Sequence, residues 1–433
     1  MATTRPPTLN MEQERIMNRR SFVKGTTAFA TGITFVPRRV LGGQGYTAPS
    51  DELTKAIIGV GGMGQGHIRY EGSRLLAVCD VDENHLAQAV ERAGPGVDTY
   101  RDFREVLDRP DIDIVHIATP PHWHGLMAIA AAEAGKDIWC EKPMTRTLGE
   151  GIKVVEAVQR NDRIFRINTW FRFRSRFYGM DTTVAEIKKV VDSGMLGWPL
   201  KVTINASTGF NWKFEWSGRT DLIPEPVPRQ LDYDMWLGPA PVKPYHPHRV
   251  HQSFRGYWDY DGGGLGDMGQ HYLDPVQYLL GKDGTSPIEI DIDAPQQHPD
   301  AVSSWRRISM RYADGCEVIL DGADSAKDAA YIEGPDGKLF QGFSSDIPNF
   351  EREIERLPES APQVTDFSEA VKTRTKFALN EANGHRSCTL VNLGIIALRL
   401  RRKLYFDPRS QRFEGDEEAN RLIDQPMRAP WHV

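Results

Sequence analysis

Residues 55–70 read KAIIGVGGMGQGHIRY, a β-branched run that passes through a cluster of glycines into a segment of helical composition. The spacing Gly59-x-Gly61-x-x-Gly64 matches the fingerprint in which glycines permit a tight strand-to-helix turn and let a pyrophosphate rest on the helix N-terminus. A lone glycine triplet is a weak signal, so the neighbouring sequence decides its meaning. The residues expected at this dinucleotide-binding turn are Gly59, Gly61, Gly62, Met63 and Gly64.

A second strand-like run, RLLAVCDVD at 74–82, follows the turn and carries Asp80 near its end. Asp80 stands 19 positions after Gly61. A carboxylate there would hydrogen-bond a ribose 2′-hydroxyl and repel a 2′-phosphate. The sequence therefore predicts NAD as the cofactor in preference to NADP.

Strand-like and helix-like runs then alternate, with strands at IVHIATP (114–120) and KDIWCEKP (136–143) on either side of a helical run. Such alternation predicts a parallel, doubly wound sheet whose ligands sit beyond the carboxyl ends of the strands. The side chains expected to face the nicotinamide there are Thr119, Pro120, His124, Glu141 and Lys142. A packing or helix-capping role remains open for His124, as does a solvated one for Lys142.

After a predicted helix at 148–160, strands and loops dominate, and the runs at 199–208, 305–313 and 316–322 show the partly alternating pattern of an open sheet with one face covered. Seven of the ten tryptophans fall in this half. Tryptophans suit the apolar faces of sugar rings, although most buried ones are simply core. The candidate substrate contacts are Trp170, Arg172, His248, Arg249, Arg255 and Trp258.

Three histidines lie close together in YHPHRVHQSFRGYW, namely His246, His248 and His251. Pro247 and the loop context offer no regular ligand face, and no nearby Cys or Glu completes a site. Polar groups of a substrate loop are favoured over a metal site, so no metal is predicted.

The chain of 433 residues is longer than one core usually supports, which predicts two domains. The expected division is an export signal and linker over 1–50, a dinucleotide-binding domain over 51–170, a substrate and oligomerisation domain over 171–405, and a tail over 406–433 packed on the body. The four cysteines lack zinc-type spacing and are expected to be small core residues, with any disulfide undetermined.

The N-terminal segment carries a pair of arginines in NRRSFVK (18–24), followed by a short and mildly apolar stretch. This order is typical of a twin-arginine export signal, with a disordered basic tail as the alternative. Residues 1–43 hold seven Arg or Lys against two Glu in a chain of net charge −6. The remainder is therefore more acidic still, which argues against a nucleic-acid surface.

Residues 259–274 read DYDGGGLGDMGQHYLD. A helix through this stretch would bring Asp267, His271 and Asp274 to one side. The glycines at 262–264 would let the backbone come close to a bound molecule. A capped helix with a satisfied histidine would look the same, so the stretch alone leaves both interpretations open.

Taken together and in order, the segments GVGGMG, CDVD, TPPHWH, CEKP and GGGLGDMGQH resemble the glucose-fructose oxidoreductase / inositol dehydrogenase (Gfo/Idh/MocA) family over about residues 54–405, in its exported bacterial branch. The resemblance implies an α/β fold, with an N-terminal Rossmann sheet and a C-terminal α+β domain that carries a large, open, mostly antiparallel sheet. It also implies a homo-oligomer joined through that sheet. By position, Lys142 would polarise the substrate oxygen and contact the cofactor, Asp267 would orient it, and His271 would take the hydroxyl proton as a hydride leaves the sugar carbon.

The predicted function is therefore an NAD-dependent oxidoreductase acting on a sugar, glycoside or polyol hydroxyl, exported by the twin-arginine translocase. Since soluble NAD is scarce outside the cytoplasm, the cofactor should be tightly held. The first alternative is an NAD-cycling glycoside lyase or hydrolase that works by oxidation, elimination and reduction. The N-acetylgalactosaminidase group of the family carries a different sequence where this chain has GGGLGDMGQH, which disfavours that one activity. The second alternative is a non-catalytic sugar-binding protein on the same fold.

Overall fold

The structure is a computed structural model that describes residues 52–325 and 328–433. The arginine pair of the expected export signal, Arg19 and Arg20, lies outside the described residues. The region from Leu53 to Val433 forms one compact unit, which is built around two β-sheets. The part that carries the first sheet is called the first domain, and the part that carries the second sheet is called the second domain.

The first sheet has six parallel strands in the order β3-β2-β1-β4-β5-β6. The strands are β1 (Thr54–Ile58), β2 (Arg74–Cys79), β3 (Asp98–Tyr100), β4 (Ile114–Ile117), β5 (Asp137–Cys140) and β6 (Phe165–Ile167). The connecting helices are α1 (Gly64–His67), α2 (Glu83–Ala93), α3 (Phe103–Leu107), α4 (His124–Glu133) and α5 (Leu148–Arg160). Because the strand order reverses between β1 and β4, a crevice opens at their carboxyl ends. The predicted doubly wound parallel sheet is confirmed.

The helices of the first domain begin where their sequences provide caps. The Asp82 side chain accepts a hydrogen bond from the backbone of Asn84 at the start of α2. A reciprocal capping box joins Thr147 and Glu150 at the start of α5. Such caps satisfy backbone donors that the helix itself leaves unpaired. They fix the ends of the helices nearest to the crevice.

The second sheet has nine strands in the order β13-β12-β11-β7-β10-β9-β8-β14-β15. Its strands are β7 (Lys201–Ile204), β8 (Glu289–Asp293), β9 (Arg307–Arg311), β10 (Glu317–Asp321), β11 (Ile332–Glu333), β12 (Lys338–Phe340), β13 (Ser344–Ser345), β14 (Leu404–Asp407) and β15 (Arg412–Phe413). The helices are α6 (Val184–Asp192), α7 (Tyr233–Leu237), α8 (Gly263–Leu279), α9 (Phe350–Ile354), α10 (Phe367–Thr373), α11 (Glu381–Leu400) and α12 (Glu417–Asn420). Its pairs are antiparallel except β7 with β10. The predicted large, mostly antiparallel sheet is confirmed.

The outward face of this sheet carries a row of charges that alternate in sign from strand to strand. The row runs across β8, β9, β10, β7 and β11 in register. Its members, in that order, are Glu289, Arg311, Glu317, Lys201 and Glu333. The strand residues next to them are buried hydrophobics, namely Ile290, Met310, Val318, Val202 and Ile332. Opposite charges directly across strands stabilise the pairing.

Helix α11 lies between the two sheets and is buried almost all round. Several of its polar residues, Ser387 among them, are buried. Gln270 of α8 donates to the Gly384 carbonyl at 2.8 Å and to the Ser387 hydroxyl at 3.0 Å. These contacts hold α8 and α11 in a fixed register behind the crevice.

The segment predicted as a tail, 406–433, adds β15 to the sheet and then returns to the first domain. Trp431 packs edge-on against Trp123 with ring centroids 4.8 Å apart. Arg428 donates to the Gly238 carbonyl at 2.9 Å. The four cysteines, at 79, 140, 316 and 388, are all buried and free. Among the described residues, no helix is both long enough and apolar enough to cross a membrane.

Candidate functional site

A cavity of about 770 Å³ lies where the carboxyl ends of the parallel strands meet loops of the second domain. The glycine turn forms one wall, and Gly59, Gly61, Gly62 and Met63 all face the cavity. Strand ends and the segments around Arg255 and Asp267 form the rest. The cavity therefore lies at the switch point where the fold predicts a dinucleotide.

The glycines of the turn differ in what a side chain at each position would contact. Gly59 has φ +84°, and a Cβ there would lie 2.7 Å from the backbone nitrogen of Thr119. A Cβ at Gly64 would lie 1.8 Å from the Gly59 carbonyl, so Gly64 supports the turn without lining the cavity. A Cβ at Gly62 would meet nothing within 4 Å. The backbone is thus open toward the cavity, and the cradle fits a pyrophosphate.

Asp80 follows β2 and is fixed beside this cradle. One carboxylate oxygen accepts from the Val60 backbone at 2.8 Å, and the other accepts from the Asp82 backbone at 2.9 Å. Asp80 also lines the cavity. The carboxylate can therefore brace the glycine turn and still face a ribose hydroxyl.

The ends of β4 and β5 supply the next part of the wall through Thr119, Pro120, Glu141 and Lys142. His124 was predicted beside them but does not line the cavity. It is 1% exposed, and its ring nitrogens lie 2.7 Å from the Pro143 carbonyl and 2.8 Å from the Thr119 carbonyl. His124 thus links the two strand-end loops from behind, and burial lowers its pKa.

Glu141 is a buried carboxylate held by two side chains from behind the sheet. Its Oε1 lies 2.8 Å from His67 Nε2 and accepts from the Asn168 amide at 2.6 Å. Burial would raise the pKa of Glu141, but the contact with His67 and the nearby Lys142 charge lower it to about 2. Glu141 therefore keeps a negative charge next to Lys142.

Lys142 and Asp267 meet in the wall at one end of the cavity. The Lys142 ammonium donates to the Asp267 carboxylate at 2.8 Å and to the Asp267 backbone carbonyl at 2.7 Å. Arg255 donates to the same carboxylate oxygen at 2.7 Å. Burial opposes the charge of Asp267, but the two cations hold its pKa well below the usual range. Asp267 is thus an anion that fixes two cations at one end of the cavity.

His271 lies one helical turn beyond Asp267 in α8, as the spacing predicts, but behind the cavity wall rather than in it. Its ring stacks on Phe171 with centroids 4.2 Å apart. Burial, followed by the Lys142 charge, lowers the pKa of His271 to about 3. In this arrangement the imidazole is neutral and packed against an aromatic ring.

Asp261 is a wall residue that no sequence pattern singled out. It lies in the cavity wall near Lys142 and Asp267, is 2% exposed, and accepts from the Gly262 backbone at 2.7 Å. A Cβ at Gly266 would lie 1.9 Å from its Oδ1. An acid directly before a glycine run is the only sequence signal for it, and many loops share that signal.

The glycines at the start of α8 make close contact with protein, where the sequence suggested a bound molecule. A Cβ at Gly264 would lie 1.5 Å from the Trp212 carbonyl, and one at Gly262 would lie 2.3 Å from the Ile395 side chain. Gly263 has φ +65°. The run therefore lets α8 pack under the 212–216 loop, which places Asp267 at the cavity.

Most of the candidate substrate contacts have structural partners away from the cavity. Arg172 and Asp274 form a buried ion pair at 2.8 Å. Trp258 is 2% exposed and donates to the His298 carbonyl at 2.9 Å. The prediction that Arg172 and Trp258 face a ligand is wrong, because the polar groups of each have partners within the core.

Two candidate residues of the histidine-rich loop also contact other protein groups and do not line the cavity. His248 lies 2.8 Å from the Tyr257 hydroxyl, and Arg249 pairs with Asp300 at 2.5 Å, so neither faces the cavity. Trp170 begins the short 3₁₀ turn Trp170–Phe173. Of the candidate substrate side chains that the structure describes, Arg255 lines the cavity.

Segments of the second domain close over the end of β2. Residues 230–232 and 81–83 are joined by backbone hydrogen bonds, Glu83 to Gln230 and Asp232 to Val81, each at 3.0 Å. His251 Nε2 lies 3.3 Å from the Asp82 carboxylate. The contacts of 230–232 and His251 with 81–83 form a clasp beside Asp80.

The clasp also contains the one group of possible metal ligands among the described residues. Atoms of Asp82, His85 and His251 lie within 4.8 Å of one another. His85 and His251 each approach a carboxylate, at 3.3 Å from Asp80 and Asp82 respectively. These contacts already account for the arrangement of the two rings.

Two family models match the chain. A model described as an oxidoreductase family, NAD-binding Rossmann fold, matches residues 53–169. A second, described as an oxidoreductase family, C-terminal alpha/beta domain, matches residues 180–433.

Relatives with known names match smaller parts of the chain. The inositol 2-dehydrogenase of Salmonella typhimurium is 29% identical over 194 residues, which cover 43% of this chain and 54% of that protein. Glycosyl hydrolase family 109 protein 1 of Shewanella sp. is 34% identical over 174 residues, which cover 34% of this chain and 38% of that protein. The chain spans about half the length, or less, of the curated relatives it matches.

Solved structures share the fold at low identity. The WlbA dehydrogenase of Bordetella pertussis, solved with NADH and UDP-GlcNAcA, aligns with a TM-score of 0.56 and 16% identity over 82% of this chain and 99% of that chain. The aldose-aldose oxidoreductase of Caulobacter crescentus aligns with a TM-score of 0.52 and 20% identity over 82% and 100%. At these identities the likeness shows the fold.

Proposed function

The chain belongs to the Gfo/Idh/MocA oxidoreductase family, and we propose that it uses NAD to oxidise a hydroxyl of a sugar, glycoside or polyol. The observation that supports this most directly is the meeting of Lys142 and Asp267 at 2.8 Å in the wall of the cavity that holds the glycine cradle. The glycine cradle of the cofactor site and the Lys142 ammonium thereby line one space. The similarity to an inositol 2-dehydrogenase supports a substrate of this class.

In the proposed reaction, Lys142 donates a hydrogen bond to the substrate oxygen and stabilises the charge that develops there. Asp267 holds Lys142 and Arg255 in place. His271 accepts the hydroxyl proton, a role that the family resemblance implies and that requires its ring to reach the cavity. NAD supplies the hydride acceptor when bound beyond the strand ends.

The preference for NAD over NADP rests on Asp80. Its carboxylate is fixed by the Val60 and Asp82 backbones and faces the cavity. A 2′-phosphate at the adenosine ribose would meet this negative charge. We therefore propose NAD as the cofactor.

Tight retention of the cofactor is supported by the clasp, because residues from both domains wall the cavity beside Asp80. A bound adenosine would be covered by the segment that carries His251. An enclosed cofactor that exchanges slowly must be reoxidised in place, by a second substrate or by the first one.

That requirement favours a second candidate function, redox-neutral cleavage of a glycoside. Oxidation of a hydroxyl two carbons away from the glycosidic carbon makes the C–H between them acidic, the aglycone is eliminated, water adds, and the hydride then returns. The similarity to a glycosyl hydrolase family 109 protein supports this candidate. It also needs a further acid–base group beyond the one that oxidation needs.

The deciding experiment starts from the purified protein, denatured and analysed by mass spectrometry for released nucleotide, and continues with incubation of the native protein with sugars and glycosides. Bound NAD with net cofactor reduction on a free sugar supports the dehydrogenase. Bound NAD with aglycone release and no net reduction supports the redox-neutral cleavage. Absence of nucleotide and of turnover would contradict both and favour a sugar-binding protein without catalysis.

We also propose export by the twin-arginine translocase and homo-oligomerisation through the second sheet. The motif at Arg19 and Arg20 supports export. The alternating charges on the outward face support a salt-sensitive contact between copies. Replacing both arginines by Lys should keep the protein in the cytoplasm. If the copies associate through these charges, the mass of the particle in solution should be lower at high salt than at low salt.

A further inference from the structure

We infer that Asp261 is a second acid–base residue of this cavity, one that removes the proton from the carbon next to the oxidised carbon of a glycoside. The inference rests on the proposed function and deepens it, because it selects the redox-neutral cleavage over simple dehydrogenation. It concerns a residue outside the Lys142, Asp267 and His271 set.

The geometry places Asp261 in the wall of the cavity beside the proposed catalytic residues. It is in the cavity wall together with Lys142, Arg255 and Asp267. Its Oδ1 accepts from the Gly262 backbone at 2.7 Å, which fixes the carboxyl group. Gly266 leaves room for it, since a Cβ there would lie 1.9 Å from Oδ1. The carboxyl is therefore held rigidly at the end of the cavity where the cations meet.

The charges around Asp261 come from four side chains. Burial raises its pKa most, Asp267 raises it further, and Arg255 and Lys142 lower it, with the pKa settling at about 7. Arg146 is a further cation close enough to interact with it. The protonation of Asp261 therefore changes in the neutral range, where a general acid or base is most effective.

The other groups at this end of the cavity do not combine a changing charge with access to substrate. Asp267 is held as an anion by Lys142 and Arg255. His271 lies behind the wall and its pKa is lowered to about 3. Asp261 differs from Asp267 in its raised pKa of about 7, and from His271 in lining the cavity.

Cleavage by oxidation and elimination gives this carboxyl a defined task. After oxidation of the substrate hydroxyl, the Asp261 carboxylate takes the proton from the adjacent carbon. The C–H electron pair forms the C=C bond, and the C–O pair leaves with the aglycone oxygen, which regains a proton from the Asp261 carboxylic acid. Water then adds and the hydride returns, so atoms and electrons balance with water as the one co-reactant. Dehydrogenation alone would give the Asp261 carboxyl no proton to transfer.

The test variant is Asp261→Asn, which keeps the side-chain size and an oxygen that can accept from Gly262. The matched control is Glu150→Gln. Glu150 is also a buried carboxyl whose pKa burial raises to about 7, but it does not line the main cavity. Gln preserves the capping box at the start of α5. Thermal unfolding and bound NAD are compared first, so that a folding defect is recognised.

Each protein with its bound NAD is then mixed with a panel of aryl glycosides in D₂O. The fluorescence of reduced nicotinamide reports oxidation, released phenol reports cleavage, and mass spectrometry reports deuterium at the adjacent carbon. Asp261→Asn should keep cofactor reduction within about twofold while cleavage and deuterium incorporation fall about 100-fold or more. The wild-type rise of cleavage rate with pH near 7 should disappear in Asp261→Asn and persist in Glu150→Gln.

Cleavage and deuterium incorporation that survive in Asp261→Asn with an unchanged pH profile would overturn the inference and leave the proposed oxidation intact. An equal loss of oxidation and cleavage in Asp261→Asn would also overturn the inference. Asp261 would then be needed for oxidation of the hydroxyl or for the folded structure. A wild-type protein that reduces no cofactor with any sugar or glycoside would contradict the proposed function itself, and the role of Asp261 with it.

Discussion

Lys142 and Asp267 are separated by 125 residues of sequence, yet the Lys142 ammonium donates to both the carboxylate and the backbone carbonyl of Asp267. One residue follows a strand of the first domain and the other lies in a helix of the second domain. The contact therefore joins the two domains at the point where the cofactor cavity meets the substrate end. A change in either residue alters the position of the other.

Lys142→Ala should lower kcat/KM for the oxidised sugar by about 100- to 1000-fold, because a donor to the developing alkoxide is lost. Asp267→Asn should reduce the rate as well, since the ammonium is then held less firmly. Single-turnover cofactor reduction gives the rate. Lys243→Ala, which removes an ion-paired lysine outside the cavity, is the control and should stay close to wild type. Near-normal turnover in Lys142→Ala would refute the assignment.

The clasp should slow the release of NAD. His251→Asn removes the ring that approaches the Asp82 carboxylate, and Asn tolerates the positive φ of +54° found at this position. We expect NAD to dissociate about tenfold faster, as the loss of one contact worth about 1.4 kcal/mol predicts. Stopped-flow release into excess unlabelled nucleotide measures the rate. His248→Ala changes the same loop away from the cavity, and an equal acceleration there would show that the loop acts without the clasp.

Local patterns were enough to predict the first domain and the glycine turn. The strand at Thr54–Ile58 and the turn at Gly59 are encoded within a few residues, by β-branched hydrophobics and by a backbone conformation that glycine favours. Because parallel strands end at one edge, the sequence also predicted that residues after β4 and β5 would face one site. Thr119 and Lys142 do so.

The second domain was harder to predict because its side chains find partners far away in sequence. Arg172 looked like a substrate contact, but it pairs with Asp274, which is 102 residues away. Trp258 looked like a sugar platform, but it is packed in the core. Asp261 was missed because two of the cations near it, Lys142 and Arg146, come from a part of the chain more than 100 residues away. Sequence periodicity carries no signal for such contacts.

The close packing at the start of α8 predicts an unequal cost for two glycine substitutions. Gly264→Ala would place a Cβ 1.5 Å from the Trp212 carbonyl, so we expect a loss of about 1–3 kcal/mol or more in stability. Gly284→Ala would place a Cβ in open space and should be close to neutral. Urea unfolding of both variants measures the difference. Equal stability of the two variants would show that the loop moves aside at little cost.

Glu141 and Glu150 should change stability with pH in opposite directions. The pKa of Glu141 is lowered to about 2, so its contribution is present above the unfolded-state pKa of about 4.3 and is lost as pH falls from there toward 2. The pKa of Glu150 is raised to about 7, so its contribution is present below about 4.3 and is lost as pH rises through 7. Glu141→Gln should flatten the acid limb of the stability profile, and Glu150→Gln should flatten the neutral limb. Urea unfolding midpoints between pH 3 and 8 measure both limbs. If both variants flattened the same limb of the stability profile, burial would be acting on the two carboxyls alike. His67 would then not hold the Glu141 charge.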